Sequence, residues 1–237
     1  MNLTIARITA RALFGRRRFL MLLLFPVLLI GIAVLARSLG ATVDNWGPPV
    51  IVALGIAIML PVVALIVGTG VLGSEIDDGT IAHILAKPLP RSEIILSKLY
   101  VAITVTAVTT GVPLFITGLI GGSTSLAVGL LVGAVVGSIA YSALFMLLSL
   151  LTRVPVLIGL AYILIWESLL GRLLSGTSVL SIQQYVLTVA ERISHSDFLT
   201  TRVSLPVAVA MTFIFAVGAT LLAIDRLRSF SVVGETT

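Results

Sequence analysis

Residues 49–72 read PVIVALGIAIMLPVVALIVGTGVL, without one ionisable side chain. As a helix rising 1.5 Å per residue, the run is long enough to cross a hydrocarbon core about 30 Å thick. Backbone N–H and C=O groups find no water there, so a spanning segment is either a helix or a strand of a closed barrel. The run is continuously apolar rather than alternating, which excludes the barrel. Working outward, five more runs share its character: Phe19–Ala36, Leu99–Gly121, Leu126–Leu151, Val154–Leu173 and Leu205–Ile224. They predict an all-α membrane protein of six transmembrane helices.

Composition agrees. Of 237 residues 58% are hydrophobic and 11% charged, with a mean hydropathy of +1.19. A soluble domain carries about 25% charged residues, and this deficit could not cover a soluble surface. Arg16, Arg17 and Arg18 precede the first run as in a signal peptide, but the run is longer than a signal core and reads as a retained span. The chain has no cysteine, which excludes a disulfide framework and a thiolate metal site.

The net charge of +5 would suggest nucleic acid in a soluble protein. Here the positions of the charges explain it, and no nucleic acid is expected. One side of the predicted spans takes Arg7, Arg11, Arg16, Arg17, Arg18, Lys87, Arg91, Lys98, Arg153, Arg226 and Arg228; the other takes Arg37, Arg172, Arg192 and Arg202. The basic side faces the cytoplasm, so both termini are expected there, in the cytoplasmic membrane, and the number of crossings is even. Residues 121–125, GGSTS, read as a tight outer hairpin. Residues 73–98 inside and 174–204 outside are long enough to carry structure of their own. Residues 1–237 read as a single transmembrane domain.

The amino-terminal stretch, residues 1–18, reads either as an interfacial elbow helix or as a basic tail. Arg7, Arg11 and Arg18 share one helical stripe, while Ile5, Ile8 and Ala12 gather on another face.

Residues 73–98, GSEIDDGTIAHILAKPLPRSEIILSK, form the charge-dense stretch between two long apolar runs. Ser74 can cap a helix start, with Asp77 favouring its positive end. Ile81, Ile84 and Leu85 give a short apolar face. Lys87 precedes Pro88, which disfavours further helix, and Pro90 reinforces the stop. Ser92 can then open the next helix, with Glu93 in its first turn. A stiff element of this kind can serve a soluble motor as a handle on the second and third spans, or it can be a plain connection.

Glu75, Gly79, Thr80, Leu85, Pro88, Arg91 and Lys98 match in type and spacing the E-x-x-x-G-T … L-x-x-P-x-x-R … K signature, and here the sequence resembles the ABC-2 type transporter permeases. Asp77 and Asp78 depart from it, standing where many members carry a basic residue. The resemblance implies a fold of six spans with an N-terminal elbow helix, a cytoplasmic coupling helix between spans 2 and 3, and short external helices between spans 5 and 6. It implies that residues 75–89 dock on an ATPase subunit, with Glu75, Gly79 and Thr80 shaping the start and Ile81, Ile84 and Leu85 supplying apolar contact, followed by Pro88 and Arg91. The partners implied are two copies of an ABC ATPase and a second permease, identical or related. ATP and Mg would be bound by the ATPase; this chain would hold no cofactor. The function implied is export of a hydrophobic or amphipathic molecule.

No G-x-x-x-x-G-K-[ST] phosphate loop occurs in the chain. Gly68, Gly70 and Gly73 spell G-x-G-x-x-G, but at the end of an apolar run rather than after a strand. A substrate-capture component for a small nutrient, or an intramembrane enzyme, are the alternatives from other classes. The second lacks a gathered set of acid–base groups: His83 and His195 fall on opposite sides of the membrane.

Four further residues are candidates for cargo contact or gating. Pro61 sits within the second span. Tyr162, Trp166 and Glu167 lie toward the outer end of the fifth. A carboxylate inside a span invites a functional reading, whereas Trp166 beside it suggests the interfacial belt, where Glu167 would reach water. Gly129, Gly133 and Gly137 repeat every four residues and allow close helix approach, inside the bundle or at a seam between copies. Ile182, Val186, Val189 and Ile193 form an apolar stripe opposite Gln183, Gln184, Thr188 and Glu191, expected for a helix lying on the outer surface or capping the bundle.

Overall fold

The computed structural model describes residues 16–77, 90–170 and 177–229. Helix α1 is Arg16–Ser38. Helix α2 opens as an α-turn at Val43–Gly47, winds as π-helix over Pro48–Met59 and returns to α-helix over Leu60–Asp77. Helices α3 and α4 are Arg91–Ile120 and Thr124–Leu151. Helix α5 is α-helical over Pro155–Ala161 and π-helical over Tyr162–Leu170. After a 3-10 turn at Thr177–Leu180 come α6, Ile182–Ser194, and α7, Leu205–Ser229.

Four helical stretches are long and apolar enough to cross a membrane: Val43–Leu72, Arg91–Ile120, Thr124–Leu151 and Leu205–Leu227. Leu22–Ser38 and Pro155–Glu167 are apolar but shorter. Hydroxyls buried within the helices answer the absence of water by bonding back one turn. Thr110 Oγ1 donates to Thr106 O at 2.8 Å, Thr117 Oγ1 to Pro113 O at 2.7 Å and Ser138 Oγ to Ala134 O at 2.7 Å. Leu24, Val27, Leu157, Phe213 and Leu221, by contrast, leave apolar side chains exposed on α1, α5 and α7, the surface a bilayer requires.

Helix α4 is the hub, packed by α2, α3, α6 and α7. Tyr141, Phe145 and Met146 are fully enclosed there. The α3–α4 hairpin turns at Gly122, whose φ of +84° favours glycine, and Ser123 then caps α4 by accepting from Leu126 N–H at 3.2 Å.

Several expected boundaries shift. Arg16–Arg18 are helical and continuous with α1; the rest of the expected elbow, residues 1–15, lies outside the described residues. Helix α2 continues unbroken through Ser74 to Asp77, so Ser74 does not cap a new helix there: nothing between Leu60 and Asp77 after Pro61 interrupts the ladder. Helix α3 begins with Pro90 as its cap, and Glu93 N–H donates to Pro90 O at 2.9 Å.

Of the two placements open to α6, on the surface or capping the bundle, the structure has the second: the helix is wedged against α4 and α7, with Gln183 and Thr188 buried along with most of the apolar stripe. The glycine repeat of α4 explains the depth. A methyl group at Gly129 would lie 2.6 Å from Ala190 O, and one at Gly133 would lie 2.9 Å from Val186 O. The bare backbone of α4 lets the carbonyls of α6 approach where a side chain would hold them off. The repeat is therefore packing within one chain, and α6 already occupies the face a seam between copies would need. Burial of Thr188 is made tolerable by its hydroxyl, 2.7 Å from Gln184 O and 3.2 Å from Val203 O.

Candidate functional site

At the α5–α6 end, Glu167 is 2% exposed and fully engaged. Oε1 accepts from Tyr141 Oη at 2.9 Å, Tyr162 Oη at 3.1 Å and Ile182 N–H at 3.0 Å. Oε2 accepts from Ser181 Oγ at 2.5 Å. All four are donors, the complement of a carboxylate, which only accepts. The expectation that Glu167 would reach water gives way to this internal network.

Three elements build it. Helix α4 supplies Tyr141, whose ring stacks on Phe145 at 5.8 Å between centroids. Phe145 meets the edge of Tyr162 at 6.2 Å, so the aromatic cluster sets both phenols. Helix α5 supplies Tyr162, Trp166 and Glu167 from its π-helical part. Ser181 and Ile182 open α6, and the carboxylate thus sits at the positive end of that helix. Ser181 also caps the helix, its Oγ accepting from Gln184 N–H at 3.4 Å. Trp166 Nε1 adds a bond to Leu180 O at 3.3 Å, and Tyr185 Oη donates to Val179 O. The end of α5 is thereby fastened to the chain that leads into α6.

Of the four predicted gate residues, the structure brings together Tyr162, Trp166 and Glu167. Pro61 is separate: it is buried in α2 just past the π-helical run, where Leu60 N–H reaches back five residues to Gly55 O. Tyr141, Ser181 and Ile182 were missed. Ser181 ahead of an amphipathic run was a readable cap; Tyr141, 26 residues from Glu167, carried no local signal. Arg172 lies outside the described residues.

At the opposite end of the bundle, Lys98 is fully buried, and its Nζ donates to Val71 O on α2 at 2.6 Å. Arg91 opens α3 and is partly buried. Glu75 belongs to α2. Gly79, Thr80, Ile81, Ile84, Leu85 and Pro88 lie outside the described residues. Two recesses complete the inventory. An apolar one of about 520 Å³ lies between α1 and α3, against Leu23, Pro26, Val108 and Pro113. A polar one of about 430 Å³ lies beyond α6, against Glu191, His195 and Asp197. Among the described residues no three metal-ligating side chains gather.

Residues 16–184 match the family described as ABC-2 family transporter protein. The chain belongs to that family. No curated protein matches it significantly. The match runs from the first turn of α1 into α6, so it covers both the Glu167 network and the Lys98 junction. An ABC-2 family transporter protein is the membrane component of an ABC transporter, and the apolar helices are those of a membrane protein.

Proposed function

We propose that the chain is the permease subunit of an ATP-driven exporter, which moves a hydrophobic or amphipathic molecule, such as a drug, antibiotic or lipid, outward across the cytoplasmic membrane. The observation that carries this reading is the family match over residues 16–184, which contains the whole signature from Glu75 to Lys98. The two shorter apolar helices are read as spans, giving six crossings. The end that bears Arg16, Arg17, Arg18, Arg91, Arg153, Arg226 and Arg228 faces the cytoplasm with both termini.

Residues 75–89, from the end of α2 onward, serve as the coupling segment. Two ATPase subunits grip one such segment from each of two permeases, and ATP with Mg is bound and hydrolysed there. Closure of the ATPase pair draws the coupling segments together and shifts α2 and α3. At the outer end α6 closes the exit, held to α5 by Glu167 and Trp166. Glu167 acts in this scheme as a gate fastening rather than as a cargo ligand, because its oxygens already carry four donors. A wall of mostly apolar side chains suits a lipophilic cargo.

The test is purification of the tagged chain in mild detergent beside a Leu85→Asp variant, with mass spectrometry of stoichiometric proteins. The reading expects a Walker-motif ATPase with the parent chain and its loss with Leu85→Asp. An abundant, folded parent chain that brings no ATPase would contradict it, and tight ligand binding by that isolated chain would favour nutrient capture instead.

A further inference from the structure

We infer that Lys98 is a positioning residue: its amine clamps the stems of α2 and α3, so that the connection between them transmits displacement to both helices as one body. The inference rests on the proposed function for its purpose, since force enters an exporter at that connection, but its geometry stands alone.

Lys98 has no exposed surface, and its neighbours along α3, Ile94, Ile95 and Leu99, are buried, as are Val71 and Leu72 on α2. An amine taken out of water into such surroundings is costly unless it is bonded. Packing does not require it: a methionine of similar length would fill the same space. Among its interactions the amine makes a short, directional bond to Val71 O at 2.6 Å, spanning 27 positions of sequence.

The two anchor points bracket the connection. Val71 lies six residues before the end of α2 at Asp77, and Lys98 lies seven residues after the start of α3 at Arg91. Apolar contact between α2 and α3 lets the helices slide on one another, whereas a hydrogen bond fixes their relative height. The acceptor is a backbone carbonyl, so the anchor does not depend on which side chain stands at position 71. Lys98 closes the signature that begins at Glu75, and the clamp gives that final lysine a physical task.

The chain has no cysteine, so two spin labels can be placed uniquely, at Asp77→Cys and Ser92→Cys, on the stems beyond the clamp. Dipolar spectroscopy on the purified, membrane-reconstituted chain reads their separation. The clamp predicts a single narrow distribution in the parent. Lys98→Met should broaden it, with the separated population rising about tenfold, as loss of a hydrogen bond from a charged donor implies. Lys98→Arg should restore the narrow component. Ile95→Ala, which removes a neighbouring buried side chain without touching Val71 O, should lower thermal stability at least as much while leaving the distribution narrow. An unchanged distribution in Lys98→Met overturns the clamp, as does equal broadening by Ile95→Ala. Should Lys98→Met not fold, Lys98→Gln, which keeps a neutral donor, is read by the same criterion with intermediate broadening expected. Failure to recover an ATPase partner would sink the exporter reading and leave this measurement intact.

Discussion

Glu167 shows how a charged side chain is accommodated where water is absent. Its oxygens receive two phenols, a serine hydroxyl and the first N–H of α6, and truncation leaves all four donors buried without their acceptor. Glu167→Leu should therefore cost about 2–4 kcal/mol, a fall of roughly 5–12 °C in melting temperature for a chain of this size. Glu167→Gln keeps one acceptor oxygen and should cost about 1 kcal/mol. Tyr141→Phe removes one donor and leaves three, for a loss of about 0.5–1 kcal/mol. Melting curves in detergent decide all three, and an order other than Leu, Gln, Phe would show that the network is not what holds α5 to α6. The sequence made Glu167 conspicuous because a carboxylate in an apolar run has few explanations. It could not supply the partners, which come from α4 and from a helix cap and meet only in three dimensions. The neighbouring tryptophan pointed the wrong way: Trp166 is bonded to Leu180 O, and Glu167, one residue along a π-helical turn, faces inward.

At the scale of elements, glycine decides where helices touch. Gly129→Ala would set a methyl group 2.6 Å from Ala190 O, and a backbone carbonyl cannot swing aside as a side-chain tip can. Helix α6 must move away, at a cost of more than about 1 kcal/mol. Gly218 in α7 has open space where its Cβ would stand, so Gly218→Ala should stabilise by about 0.5–1 kcal/mol through helix propensity alone. The pair is checked by thermal unfolding of the two variants side by side, and loss of stability in both would contradict the packing described. The long spans were legible because each is a continuous apolar run bounded by charge or glycine. The helical nature of α6 was legible too, from its 3.6-residue stripe. Its burial was not: periodicity identifies the apolar face but cannot report that the polar face is also covered, by the loop around Val203 that takes up Thr188. The π-helical winding of α2 and α5 left no mark in the apolar pattern.

For the whole molecule, the proposed orientation rests on where arginine and lysine fall, and it has a direct check. Single cysteines in this cysteine-free chain, at exposed Thr200 beyond α6 and at exposed Arg153 between α4 and α5, should react with an impermeant maleimide from opposite faces of the membrane, Thr200→Cys from outside. Composition sufficed to read an all-helical membrane protein because a bilayer imposes so few solutions. In the proposed cycle, ATP bound by another chain opens the outer end of this one. Ser194 offers the probe. Its hydroxyl is buried and has no hydrogen-bond partner, its Cβ would lie 3.4 Å from one added at Gly129, and Ser194→Cys is nearly isosteric, so its thiol is shielded while α6 rests on α4. In liposomes holding the co-purified complex, with impermeant maleimide on the face opposite the ATPase, ATP with Mg should raise the labelling rate of Ser194→Cys several-fold over ADP, while Thr200→Cys labels equally in both. Equal labelling of Ser194→Cys with ATP and ADP, in a complex that hydrolyses ATP, would contradict the account.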